Sequence, residues 1–220
     1  MTRTTRPAAP ADPERQRDPE RTRQEILDVA TGEFARNGYS GARVDDIAAK
    51  TRTTKRMIYY YFGGKEQLYI AVLEQAYSVA RDAERQLDVD HLEPVSAIRT
   101  LAELTFDHHE YHPDFISLVA NENINGAEFI ARSRELTELN MPAVSILARI
   151  LERGYASGVF LRRIDAIDMH LMISAFCFFR MSNRYTFGAI FGLDLIDPAR
   201  RDHYRQMIGD LVVSYLTAPG

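Results

Sequence analysis

Lys55 and Arg56 stand just ahead of three consecutive tyrosines, Tyr59, Tyr60 and Tyr61, and beyond a Gly-Gly pair the chain supplies a further cation, Lys65. Guanidinium and ammonium groups donate to guanine O6 and N7 and to phosphate oxygens, and phenols donate to phosphate. The chemistry this set offers is a grip on a polyanion. A second set lies at His108, His109, Glu110 and His112, where His108 and His112 are four apart and share one helical face, a spacing at which two imidazoles can ligate a metal. It is not the metalloprotease pattern, which needs His-Glu-x-x-His; from His109 the chain reads His-Glu-Tyr-His, one residue short. Histidines that are exposed, or that line a pocket near a helix end, are the competing account. A third set places polar groups among apolar ones: Asn121, Glu122 and Asn123, and the stripe Phe176, Phe179, Arg180, Asn183 and Arg184. Glu122 could orient a donor on a ligand or pair with an arginine across a dimer. Phe176 and Phe179 fit a core as well as a binding wall, and Arg180 fits an interhelical ion pair as well as a site for an anion.

These residues need elements to hold them. Ile26, Leu27, Ala30 and Phe34 repeat at helical spacing after Asp18-Pro19, an N-cap followed by proline at the first helical position, until Asn37-Gly38 closes the helix. A short second helix, Val44 to Thr51, puts Val44, Ile47 and Ala48 on one face. The third is capped by Thr54, buries Ile58 and Phe62 four apart, and ends at Gly63. With those two facing inward, Arg56 and Tyr60 point away from the core, Met57 lies beside them, and Tyr59 and Tyr61 project from the flanks. Two short helices joined by a turn, the second offering cations and phenols to solvent, form a helix-turn-helix able to enter a DNA major groove. Lys55, Arg56 and Tyr60 are then the expected base contacts, and Tyr59, Tyr61, Thr54 and Lys65, the last at a helix N-terminus, the expected phosphate contacts. An exposed aromatic helix also suits a protein–protein surface, and periodicity alone leaves that open.

The stretch from Arg43 to Glu74, "RVDDIAAKTRTTKRMIYYYFGGKEQLYIAVLE", closely resembles the DNA-binding head of the TetR family of bacterial repressors: hydrophobic-x-x-Ile-Ala, a turn, Ser/Thr-Lys-x-x-hydrophobic-Tyr-x-x-Phe, then Lys-Glu-x-Leu. The match extends back through "ILDVATGEFARNGYSG", Ile26 to Gly41. The chain departs from the pattern at Arg52, where a turn glycine is usual and a φ above zero is therefore expected, at Thr53, and at Met57, where a phosphate-binding threonine is common. Arg43 replaces the usual threonine before helix two, weakening that cap and adding a phosphate cation.

The resemblance implies an all-α, TetR-like protein: a three-helix head, and a helical domain that binds a small molecule and dimerises through its last two long helices. The expected division is a disordered arm at 1–17, a head at 18–64 and a regulatory body at 65–220, with about nine helices in all. In the body, helix four runs from Lys65 to about Leu87, and Pro94 and Pro113 open the fifth and sixth. A long seventh, from Ala127, is interrupted at Pro142 and closed by Gly158; an eighth runs from Ala166 to Phe187, and Pro198 opens a ninth ending near Leu216. The expected effector pocket has Phe106, Phe115, Phe176 and Phe179 as walls and His109, Glu122 and Asn183 as polar fixtures, and suits a neutral aromatic or heterocyclic compound. Ile173, Cys177, Met181, Ile208, Leu211 and Val212 are the expected dimer contacts.

Bulk properties agree with this division. The chain carries 45% hydrophobic and 26% charged residues and a net charge of −4. Residues 1–63 hold twelve basic against nine acidic side chains, a balance of +3, and the remainder a balance of −7, so the tyrosine-bearing end is the one suited to a polyanion. The apolar run from Leu171 to Phe179 is too short to cross a bilayer and no signal-peptide core opens the chain; one cysteine, Cys177, permits no internal disulfide. A cytoplasmic, ligand-responsive regulator, most simply a repressor acting as a homodimer on a palindromic operator, is the expectation, with no cofactor, metal, membrane or catalytic role. The competing readings are a small metal-dependent hydrolase built on His108, His109 and His112, and a helix-turn-helix interaction module that senses nothing.

Overall fold

The computed structural model describes residues 19–51 and 53–219. The expected arm, the Asp18 cap and the φ expected at Arg52 lie outside the described residues. Ten α-helices and two 3-10 turns make up the described chain, which contains no strand.

The first three helices form as their end signals require. Helix α1 (Pro19–Gly41) turns at Gly38, whose φ of 65° only glycine adopts at little cost. After α2 (Val44–Lys50), the Thr54 hydroxyl accepts the Met57 N–H at 3.3 Å and starts α3 (Lys55–Phe62), which Gly63 ends at φ 83°. Ile26, Leu27, Ala30, Phe34, Ile47 and Ile58 bury against one another. That core does not stop at residue 64. Helix α4 (Lys65–Arg85) contributes Leu68, Tyr69, Val72 and Leu73 to it, and α6 (Pro113–Ile124) contributes Leu118. A second core joins α5 (Pro94–Tyr111), α7 (Arg134–Ala156), α8 (Ala166–Ser182) and α10 (Arg201–Thr217) around Ile98, Phe106, Ile150, Met169, Ile173 and Ile208.

Three boundaries differ from the sequence reading. The long seventh helix does not begin at Ala127: Gly126 and Ala127 turn the chain at φ 68° and 58°, a 3-10 turn follows at Ile130–Arg132, and Ser133 caps α7 by accepting the Leu136 N–H. The cause is Glu122, whose Oε2 accepts the N–H groups of Phe129 and Ile130 at 3.1 and 3.0 Å and so holds the chain out of helix. Pro142 does not interrupt α7, which runs through it, because buried Leu136 on one side and Ala143, Ile146 and Leu147 on the other hold both flanking turns against the body. The expected eighth helix breaks at Asn183, giving a separate α9 (Arg184–Phe191). There Arg184 donates to the Met181 carbonyl at 2.7 Å, so a side chain takes a carbonyl that a continuous helix would give to the Tyr185 amide.

Candidate functional site

Helix α3 is held by two buried residues and exposes the rest. Ile58 is fully buried and Phe62 nearly so, while Tyr60 is 77% and Tyr59 47% exposed. Thr54, Lys55 and Arg56 are exposed, and Met57 and Tyr61 half-buried, Tyr61 with its ring edge-on to Tyr60 at 5.3 Å. Lys55 reaches Asp45 of α2 at 3.1 Å, which braces the two helices across the turn. Both side chains are more than half exposed, so the pair is weak and the ammonium can exchange Asp45 for a phosphate or base. Arg43 is exposed at the start of α2. Lys65 sits half-buried with Nζ 4.7 Å from the Tyr39 ring centre, and burial lowers its pKa. The face around Arg56 and Tyr60 is therefore a solvated cationic and phenolic surface on a rigid backing, and it has the shape and donors to enter a major groove.

The body does not bring the seven expected effector residues to one place. Phe115 and His109 do meet, ring centres 5.7 Å apart, with His108 5.3 Å from Phe115. Phe106 is taken up by the second core, under the guanidinium of Arg180 at 4.4 Å. Phe176 packs half-buried on the second core, and Phe179 is 50% exposed. Asn183 marks the α8–α9 break, where it donates to Ser182 Oγ. Glu122 is 1% exposed at the head end of α6, where its Oε2 accepts from the Phe129 and Ile130 amides. Glu122→Ala is expected to lower stability by roughly 2 kcal/mol or more, since it strands two amide donors, and thermal unfolding measures it; an unchanged midpoint contradicts this assignment. Arg180 resolves as an ion pair, 2.6 Å from Glu110.

Around Phe115 the structure assembles residues that the sequence reading missed. Arg81 and Glu84 of α4, each 8% exposed, meet at 2.8 Å and line, with His108, His109 and Phe115, a cavity of about 20 Å³. The signal was present: Leu73, Tyr77, Ala80, Arg81 and Glu84 continue one helical stripe, so two charges fall where core residues are due. Burial lowers the pKa of His108 to about 3 and of His109 to about 4, with the Arg81 charge acting in the same direction, and both imidazoles are neutral near pH 7. His109 Nδ1 donates to the Thr105 carbonyl at 2.7 Å, which fixes its tautomer. Among the described residues no three His, Cys, Asp or Glu side chains converge as a metal's donor set.

The expected dimer contacts divide differently from the sequence reading. Ile173, Cys177, Met181, Ile208 and Val212 are each under 5% exposed and face the protomer's own interior, and of the six only Leu211, at 43%, meets solvent. Exposed large apolar side chains share one face of α8, at Ile167, Leu171 one turn on and Phe179 two turns beyond that, and one face of α10, at Met207 and Leu211.

Residues 26–72 match the pattern of the bacterial regulatory proteins of the tetR family, and residues 94–212 match the tetracyclin repressor-like C-terminal domain. The HTH-type transcriptional repressor NicS of Pseudomonas putida is 36% identical over 194 residues, covering 88% of this chain and 92% of that protein. The HTH-type transcriptional repressor SCO4008 of Streptomyces coelicolor is 38% identical over 162 residues, covering 72% and 78%. Among solved structures, SCO4942 of Streptomyces coelicolor superposes with a TM-score of 0.66 at 28% identity, over 86% of this chain and 97% of that one.

Proposed function

The chain belongs to the TetR family and is a DNA-binding, ligand-responsive transcriptional repressor, and we propose that α3 of each subunit of a homodimer enters successive major grooves of a palindromic operator, about 34–36 Å apart. The observation that carries this reading is the α3 face: exposed Arg56, Tyr59 and Tyr60 on a helix whose opposite side, Ile58 and Phe62, is locked into the head core. Lys55 and Arg56 contact base edges, and Arg43, Thr54, Tyr59, Tyr61 and Lys65 contact phosphates. Its relatives are transcriptional repressors, which supports the regulator over the hydrolase. No helix among the described residues is long and apolar enough to cross a membrane, and the cytoplasm, where the DNA is, is the proposed site of action.

The two subunits pair through the exposed stripes of α8 and α10, which form a four-helix contact about a twofold axis. The effector is a small planar aromatic or heterocyclic compound that enters between α4, α5 and α6, where Phe115 and His109 stand.

Gel-shift titration on an operator recovered by in vitro selection from genomic fragments tests the DNA-binding surface. Tyr59→Ala is expected to weaken binding to all sequences alike, whereas Arg56→Ala relaxes preference at particular base pairs at a cost of roughly 1–3 kcal/mol. Wild-type affinity and selectivity in both variants place the DNA on another surface.

A further inference from the structure

The cavity between α4, α5 and α6 has a polar wall with unused hydrogen-bonding capacity. Arg81, Glu84 and His108 are all more than nine-tenths buried. Arg81 Nη1 is close enough to Glu84 Oε2 for their charges to offset one another, yet among the described residues Arg81 Nε, Glu84 Oε2 and His108 Nε2 have no hydrogen-bond partner. Each such buried atom destabilises the closed arrangement for as long as it stays unpaired. The wall thus presents a donor at Arg81, an acceptor at Glu84 and an imidazole nitrogen, with Phe115, Leu104 and Ala80 as apolar surface beside them.

We infer that the effector is a neutral planar ring with a cyclic amide edge, an N–H next to a C=O as in a lactam, imide or cyclic urea. The ring N–H donates to Glu84 Oε2, the carbonyl accepts from Arg81 Nε, and the ring lies against Phe115. This rests on the reading that places the effector in this cavity. The other ligand classes fit the wall less well. A carboxylate would put a second anion beside the one guanidinium already held by Glu84, and the neutral His108 and His109 add no cation to offset it. An apolar ring leaves the three buried atoms unpaired. An amide edge satisfies the donor and the acceptor together without adding charge.

The size of the cavity supplies the regulation. About 20 Å³ is room for one water molecule, so a ring cannot enter the arrangement described and binds only one in which α4 and α6 stand further apart. That gives the effector the differential affinity without which no equilibrium moves. Both helices end in the head: α4 through Leu68 and Tyr69, and α6 through Leu118 and through Asn121, whose amide approaches the Phe34 and Ala35 carbonyls at 3.5 Å.

The probes are 2-pyridone, its N-methyl derivative, benzoate and toluene, each titrated into the full-length protein by calorimetry while the imidazole NMR signals of His108 and His109 are followed. Expected are binding of 2-pyridone with displacement of both imidazole signals, loss of roughly tenfold or more on N-methylation, and weaker binding of benzoate and toluene. Glu84→Gln is expected to narrow the gap between the two pyridones; because the ligand pair alone carries the test, a variant that fails to fold leaves it intact. Equal binding of the N-methyl compound, tighter binding of benzoate or toluene, or no 2-pyridone binding up to about 10 mM overturns the amide-edge assignment. Displacement of the imidazole signals by any of the other three leaves the cavity standing as the effector site. Binding of 2-pyridone that moves neither imidazole overturns the cavity reading itself.

Discussion

Arginine at both Leu171 and Leu211 is expected to convert the protein to a monomer at micromolar concentration and to lower operator affinity by roughly 100-fold or more. Leu171 is 65% and Leu211 43% exposed in the protomer, so neither substitution disturbs the packing of a single subunit. In a twofold contact each change occurs twice and meets its own copy or a neighbour of like charge. Burying such charges without partners costs several kcal/mol per ion, more than the apolar contact they replace contributes. The DNA effect follows from multivalency: a palindrome is held tightly because the second head binds at the high effective concentration set by the first, and a monomer forfeits that factor, typically 10²–10⁴. Sedimentation velocity and gel-shift titration on the same preparations measure both consequences. A variant that still sediments as a dimer moves the pairing surface away from α8 and α10, whereas a monomer with undiminished operator affinity separates dimerisation from DNA binding.

Acidification from pH 7 to pH 5 is expected to cost about 4 kcal/mol of folding stability, roughly 2 kcal/mol from each of His108 and His109. In the unfolded chain these imidazoles take up protons near pH 6.5, whereas in the folded protein burial delays uptake to about pH 3 and about pH 4. Between those limits the unfolded state binds more protons, so stability is complete above about pH 6.5 and is lost as the pH falls toward the folded values. His170, also lowered by burial, acts in the same direction. Two groups oppose it: Glu84, whose carboxyl is raised by burial, and the exposed His91, raised by its hydrogen bond to Asp88. Glu84 adds little until the pH nears the carboxylate range, and the His91 pair is fully solvated. Urea unfolding at a series of pH values reads the slope, and His109→Gln is expected to remove about half of it. A flat profile from pH 7 to pH 5 shows that these two imidazoles are hydrated in the folded protein.

The head was legible in the sequence because its determinants act over a few residues. Thr54 reaches an amide three positions on, Gly63 adopts the left-handed conformation that ends α3, and Ile58 and Phe62 share a face by helical geometry alone, so the outward direction of Arg56 and Tyr60 follows without knowledge of any other element. The family pattern lies in the same short stretch. The body obeys a different logic. Its helices were foreseen from Pro94, Pro113 and the apolar periodicity, but the ends at Ala127 and Asn183 were decided by Glu122 and Arg184, whose side chains capture backbone groups for reasons no propensity records. An apolar position on α8 or α10 is equally apolar whether it meets its own core or a second subunit, so Cys177 and Leu171 could be told apart only when α5 and α7 took one side of α8 and left the other bare. The same holds on α5, where Phe106 and His109 are three positions apart and neighbours on the helix, yet Phe106 meets Arg180 of α8 and His109 feels the charge of Arg81 of α4. Local structure was written in local sequence; which face meets which is settled by packing between segments distant along the chain, where burial of the whole body, not the preference of any one residue, sets the free energy.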